Sequence, residues 1–240
     1  MIYAVGDIHG ELDLLDHLIG KIRIDASGSD DSSHKLIFVG DYIDRGPSSR
    51  QVLERVMAGF DGFETICLRG NHEQAMLEVC DRHDKEIAKV WLSKVIGGTE
   101  TLESYGIDRK IMKSCLKKTE TFWPLLQDVP RTHIDFIQSM PLTHVDGKYL
   151  FVHAGLRPGI ALEAQRDDDL LWIRKDFTTS RHKHGYVVVH GHTWKRRPQL
   201  RKNRIGIDTG AFATGRLTAV ALQDGKKPRF LYVKKEKRAK

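Results

Sequence analysis

Apolar residues along the chain gather in short, uninterrupted runs: Ile2–Val5 (IYAV), Leu36–Val39 (LIFV), Thr65–Leu68 (TICL), Tyr149–Val152 (YLFV) and Tyr186–Val189 (YVVV). Runs rich in Val, Ile and aromatic residues, without polar alternation, predict strands buried on both faces. Between the first three runs the period changes to that of helices. Glu11–Ile22 sets Leu12, Leu15, Leu18, Ile19 and Ile22 on one face. Pro47–Ala58 opens with residues suited to a first helical turn and directs Val52, Leu53 and Val56 inward, and Glu73–Val79 begins a third helix. This β-α-β-α rhythm predicts parallel, right-handed connections. Residues 81–148 interrupt it. Segments such as EIAKVWLSKVI and TFWPLLQDV there predict a mostly helical insert or cap. Three later runs, Arg204–Ile207, Thr218–Leu222 and Phe230–Val233, are separated by Gly and Asp turns and predict a meander. The expected fold class is α/β, a mixed β core flanked by helices in one domain over 1–233, with a frayed basic tail at 234–240.

Each of the five runs is followed within three residues by a group able to ligate a metal: Asp7 and His9, Asp41, Asn71, His153 and His192. In α/β sheets, functional groups collect in loops beyond the carboxyl ends of strands. In Gly6-Asp7-Ile8-His9-Gly10 the carboxylate and imidazole are two apart, so an extended strand end directs both to one side. Gly40-Asp41-Tyr42-Ile43-Asp44-Arg45-Gly46 adds two carboxylates and an Arg whose planar fork suits phosphate oxygens. Gly70-Asn71-His72-Glu73 brings a carbonyl ligand for a hard cation beside a possible proton donor, His72. Four or more ligands per ion require one shared group, and Asp41 is assigned as the bridge. Asp7, His9 and Asp41 would then hold one ion, and Asp41, Asn71, His153 and His192 the other. Mixed N and O donors without thiolate favour two divalent ions such as Mn2+, with Fe, Zn or Ni as alternatives. Asp81, His83 and Asp84 have no strand end beneath them and read as an exposed helix face, and His182 and His184 as a solvated loop.

Composition narrows the classes further. The 240 residues are 40% hydrophobic and 30% charged, a globular balance, and no apolar run nears the ~20 residues of a membrane helix. No membrane insertion is expected, and the MIYAVGDIHG start has no leader character, so a cytoplasmic location is expected. Three cysteines without paired spacing exclude a disulfide framework, and none has the Arg six residues on that a cysteine-nucleophile phosphatase needs. The net charge of +7 is uneven: residues 194–240 carry 15 Lys and Arg against 3 Asp and Glu, the preceding 193 residues 24 against 29. Such an asymmetry suggests anionic partners. Lys195–Arg204 (KRRPQLRKNR), directly after His192, would steer an acidic phosphopeptide, or equally a polyphosphate, towards the metals.

GDIHG, GDYIDRG and GNHE, followed by the His of VHAG and of HGHT, resemble the signature set of the phosphoprotein phosphatase family, the serine/threonine branch of the calcineurin-like metallophosphoesterases. The motifs stand in the family's order from residue 6 to residue 192, and the length and the LLWIR segment are most similar to small bacterial and phage members. Bacterial diadenosine tetraphosphate hydrolases share the same core motifs. The resemblance implies two mixed β-sheets packed as a sandwich with helices outside. It implies direct attack on phosphorus by a hydroxide bridging the metals, without a covalent enzyme intermediate. It makes His72 the general acid, oriented by Asp44, and gives the phosphate oxygens to Arg45 and Arg174. The first expectation is therefore a phosphatase acting on phosphoserine and phosphothreonine, and on phosphotyrosine as a further target, in phosphoproteins or phosphopeptides. The alternative is a symmetrical dinucleoside polyphosphate hydrolase. A catalytically silent binding module ranks third, and no nucleic-acid partner is expected.

Overall fold

What covers the strands explains the lack of alternation in four of the five runs; the exception is the TICL run, whose strand lies at a sheet edge and is only half-buried, so burial on both faces does not hold there. In the computed structural model, which describes every residue except 30, 32, 116–120 and 236–240, β1 (Ile2–Val5), β2 (Lys35–Phe38) and β3 (Glu64–Cys67) are parallel neighbours. Tyr3 and Val5 face α1 (Leu12–Ser27) and α2 (Ser49–Met57), whereas Ala4 faces a second sheet. Both sides of the strand are thus dry. The first sheet has the order β10-β9-β1-β2-β3, with β9 (Arg216–Leu222) and β10 (Arg229–Lys234) antiparallel at one edge. The second has the order β4-β5-β6-β8-β7, from β4 (Thr143–Asp146), β5 (Tyr149–Val152), β6 (Val187–His190), β7 (Gln199–Leu200) and β8 (Arg204–Gly206).

Ala4, Ile37, Val39 and Val220 from one sheet and Phe151, Val189, Ile205 and Ile207 from the other form the apolar layer between them. The outer face of the second sheet, Leu150, Val152 and Val188, is covered by Leu170 of α8 (Asp167–Trp172) and Phe177 of α9 (Lys175–Thr178). The result is the expected sandwich of two mixed sheets flanked by helices. α3 (Asn71–Arg82) follows β3 and starts at the third motif. The helical stretch then runs through α4 (Lys85–Trp91), α5 (Gly98–Ser104), α6 (Arg109–Cys115) and α7 (Arg131–Ser139).

Three further readings of the sequence need correction. The helical segment stops at Ser139, and Thr143–Asp146 is a strand paired antiparallel with β5 around Gly147. The meander does not form. β8 lies parallel to β6 in the second sheet, and the chain crosses through Asp208 and the short α10 (Ala211–Thr214) before β9 joins the first sheet. The reason is burial: Ile205 and Ile207 fill the inter-sheet layer from the second-sheet side. The DRHD segment is not one helix face: His83 ends α3 in the left-handed conformation, and the Asp84 carboxylate caps α4 through the amides of Glu86 and Ile87. β10 continues to Lys234, and the rest of the expected tail, 236–240, lies outside the described residues. No helix among the described residues is long and apolar enough to cross a membrane.

Candidate active site

The loops after β1, β2, β3, β5 and β6 meet at one end of the sandwich, and their backbones are knitted before any side chain is considered. The amides of Ile8 and His9 donate to the Asp41 carbonyl at 2.9 Å, and that of Gly10 to Tyr42 at 2.8 Å. The approach is close enough to exclude a side chain: a Cβ on Gly46 would strike the His9 carbonyl, and one on Gly70 the Asp41 carboxylate and amide. His9, Asp41, Asp44, Arg45 and His192 all have positive φ, between 50° and 70°. Outside glycine this conformation is uncommon and marks over-determined functional segments.

Donor atoms converge in two groups around Asp41. His9, Asp41 and His72 form one, and Asp41, His153 and His192 the other, with ligand atoms in each group within 4.8 Å of one another. Asn71 joins the second: its Oδ1 is 2.8 Å from both His153 Nε2 and His192 Nδ1. The tautomers follow from the far side of each ring. His153 Nδ1 donates to the Val39 carbonyl and His9 Nδ1 to the Ile43 carbonyl, both at 2.9 Å, so the Nε2 lone pairs of both rings face inward. There His153 Nε2 meets Asp41 Oδ1 at 3.4 Å and His9 Nε2 meets Asp41 Oδ2 at 3.5 Å. Burial holds the pKa values of His9, His153 and His192 below the ordinary imidazole value, keeping the rings neutral and ready to ligate. Burial opposes charge on Asp41 as well, but the imidazole cluster around it, including His72 with its raised pKa, holds its carboxyl well below the usual carboxylate range.

Asp7 belongs to neither group. Its Oδ2 accepts from the His192 amide at 2.9 Å, while Oδ1 is buried with no partner among the described residues, as is His192 Nε2. Inward lone pairs and orphaned buried acceptors around one carboxylate are a donor set that a divalent cation satisfies.

His72 stands at the mouth of the first group. Its Nδ1 donates to Asp44 Oδ2 at 2.7 Å, and its Nε2 accepts from Arg45 Nη2 at 3.1 Å. The other arm of that guanidinium, Nη1, lies 3.1 Å from His9 Nε2, and its carbon sits 4.3 Å over the Phe212 ring. Burial disfavours a charged His72, yet Asp41 and Asp44 outweigh it and raise the pKa above the ordinary value. Arg174 reaches the same mouth, its Nη1 donating to the His192 carbonyl at 3.3 Å.

Four contributors were missed by sequence reasoning. Glu73 of GNHE accepts from the amides of Asp41, Tyr42, Ile43 and Gly70 at 2.9–3.2 Å and so ties the second motif to the third. Thr101 Oγ1 and Trp91 Nε1, both from the helical insert, donate to Asp44 at 2.6 and 3.2 Å. Asp208 sits beside Asp7, its carboxyl pushed up to about 6 by burial and the nearby carboxylate of Asp41. The glutamate's place in the motif was a usable signal; the other three have no linear signature.

Beside the metal-type cluster lies a cleft of about 390 Å3 whose walls include Arg45, Lys94, Arg109 and Arg174, with Trp194 and Phe212 as aromatic surfaces and Glu100 as the carboxylate among them.

Comparison with known proteins defines the class. The chain belongs to the calcineurin-like phosphoesterase family, whose pattern matches residues 1–198. It is 27% identical to an asymmetrical bis(5'-nucleosyl)-tetraphosphatase, PrpE, of Anoxybacillus flavithermus, over 92% of this chain and 90% of the relative. A symmetrical bis(5'-nucleosyl)-tetraphosphatase of Aromatoleum aromaticum is 30% identical over 69% of this chain, which spans about half (48%) of that relative. Among solved structures, a candidate diadenosine tetraphosphatase superposes with a TM-score of 0.64 at 21% identity, covering 97% of this chain and 92% of the other. A cold-active protein tyrosine phosphatase shares the fold with a TM-score of 0.56 at 16% identity, over 91% and 72% of the two chains.

Proposed function

We propose that this metallophosphoesterase hydrolyses dinucleoside polyphosphates, with two divalent ions, Mn2+ foremost, held at the Asp41 cluster. The observation that carries the reading is the cleft: Arg109 is paired there with Glu100 and Glu103, but Arg45, Lys94 and Arg174 have no carboxylate partner among the described residues. Three such cations exceed what a single phosphomonoester needs and suit a chain of phosphates. Trp194, 42% exposed at its wall, offers a face on which a nucleobase stacks. The names of the relatives that match along nearly the whole chain support the same substrate class over the phosphoprotein expected first.

In this reading Asp7, through its unpartnered Oδ1, would join His9 and Asp41 in holding one ion, and Asp41, Asn71, His153 and His192 would hold the other. When bound, such ions neutralise the phosphate and activate the attacking water. Arg45 turns its fork from the two histidines to the substrate's phosphate oxygens, and Arg174 meets them from the opposite side. With Arg45 withdrawn, His72 Nε2 is free to carry a proton, while Asp44 keeps Nδ1 protonated and the ring aimed. A nucleotide leaving through a phosphate oxygen, with a pKa of roughly 6, needs little of that proton; an alkoxide would need all of it.

The test is a panel at fixed Mn2+: diadenosine tetraphosphate beside phosphoserine, phosphothreonine and phosphotyrosine peptides, with products resolved by chromatography. The tetraphosphate is expected to have the highest kcat/KM. Paired ADP would mark symmetrical cleavage, and ATP with AMP asymmetrical cleavage. A phosphopeptide preferred by more than about a hundredfold, roughly 2.7 kcal/mol of transition-state binding, would return the assignment to a protein phosphatase.

A further inference from the structure

The basic segment after His192 does not stay at the metal end. β7 carries it along the second sheet, so Arg201, Lys202 and Arg204 emerge at the opposite end of the strands, where β5, β6 and β8 begin. A cavity of about 780 Å3 opens there, and Lys148, Arg181 and Lys183 complete a ring of six cations around it. No carboxylate lines it, and none of the six has an ion pair among the described residues. Four-residue strands put about 13 Å between this end and the catalytic loops.

Arg204 sets this cavity apart from a solvated basic face. It is only 8% exposed, and its guanidinium donates to neutral oxygens alone: the Ser180 carbonyl at 3.0 Å, Asn203 Oδ1 at 3.2 Å and the Thr178 carbonyl. Burial and the neighbouring Arg201 hold its pKa below the ordinary range, the mark of a charge without a counter-charge. A buried cation is unfavourable unless paired; here neutral oxygens and the Phe177 ring, 5.8 Å from the guanidinium carbon, are its partners, and five more cations line the same cavity. Tyr186 and Val187 give the cavity one apolar wall.

We infer that this cavity is a second, non-catalytic anion site that binds a small molecule carrying two or more phosphates, with Arg204 as the fixed partner and Arg181, Lys183, Arg201 and Lys202 closing around it. Arginine forks meet phosphate oxygens in pairs, and the low-dielectric floor strengthens each contact. Inorganic polyphosphate and nucleoside polyphosphates share this chemistry; the apolar wall has a use only with the latter.

Hydrogen–deuterium exchange of the Mn2+-loaded full chain tests the site directly. The probes are methylenediphosphonate and its adenosine form, α,β-methylene-ADP, whose P–C–P bridges resist hydrolysis. Slowed exchange is expected at 178–187 and 201–206, separate from any protection of the catalytic loops. The double variant Arg181→Glu/Arg201→Glu is expected to weaken that protection at least tenfold while leaving protection at the metal end. If the double variant fails to fold, Arg201→Gln with Lys202→Gln gives the same comparison. Equal titration by both probes assigns an inorganic polyphosphate, and tighter titration by the adenosine form a nucleotide. No protection at millimolar probe, protection indifferent to charge reversal, or protection by a single-stranded oligonucleotide alone would overturn the assignment.

Discussion

The two sheets contribute to the cluster in different ways. On the first-sheet side, the motif loops are cross-braced by groups of the same sheet and the helices packed on it. Glu73 gathers four backbone amides, and Asp44 receives Thr101, Trp91 and His72. On the second-sheet side, His153 is oriented by one bond to the Val39 carbonyl, and His192 is placed by one from its amide to Asp7. Both bonds reach back across the sandwich to loops of the first sheet. The first half is therefore braced within its own sheet and helices, while the second depends on the inter-sheet layer that holds Val39 and Val189 in register. Among the described residues, Asp41 is the group common to both donor clusters.

Changing the group common to both halves should do most. Asp41→Asn is expected to reduce kcat/KM by on the order of 10³, about 4 kcal/mol, and by more than Asp7→Asn. Elemental analysis beside the rate checks the cause, and two tightly held ions in Asp41→Asn would show that Asp41 is not shared. A smaller and more selective loss is expected when the first half is altered at its mouth. His72→Asn should keep its metal content and lose roughly 10²–10⁴ in rate on phosphoserine, but only a few-fold on diadenosine tetraphosphate or p-nitrophenyl phosphate. An equal loss on all three would mean that His72 shapes the site without donating a proton. The smallest effect tests the bracing itself. Thr101→Val removes the hydroxyl that donates to the Asp44 carboxylate and accepts from the Asp44 amide, two bonds worth about 1–2 kcal/mol together, or roughly five- to thirtyfold in rate. Its loss should follow the substrate dependence of His72→Asn; a uniform decrease would place Thr101 in general stability instead.

Strands and motif residues were legible because both rest on local rules. IYAV and YLFV could be read as buried strands because each needs only its own residues to be dry on two faces. Positions within the GDIHG, GDYIDRG and GNHE loops followed from the strand ends beneath them. What was not legible depends on distant partners. β8 was read into a meander because a short turn says nothing about which sheet offers a free edge, and that edge belongs to β6. β4 was hidden by the helical segment before it, although the Asp-Gly turn at 146–147 was a signal for a hairpin. Trp91 and Thr101 approach Asp44 from helices 47 and 57 residues away, and no spacing announces that. The basic segment after His192 was read towards the metals because it follows a ligand in sequence, whereas two residues of β7 redirect it.

The left-handed backbone at the site has a consequence for how the protein can change. Asp and His tolerate that conformation better than most residues, but Arg45, at φ 69°, does not. Glycine there would relieve roughly 1–2 kcal/mol of backbone strain while deleting the guanidinium that touches both His9 and His72. Selection for heat resistance alone would drift towards that exchange, and selection for turnover would resist it. The molecule thus carries part of its trade-off between robustness and activity at an identifiable residue, and any gain in thermostability that preserves catalysis has to come from elsewhere in the chain.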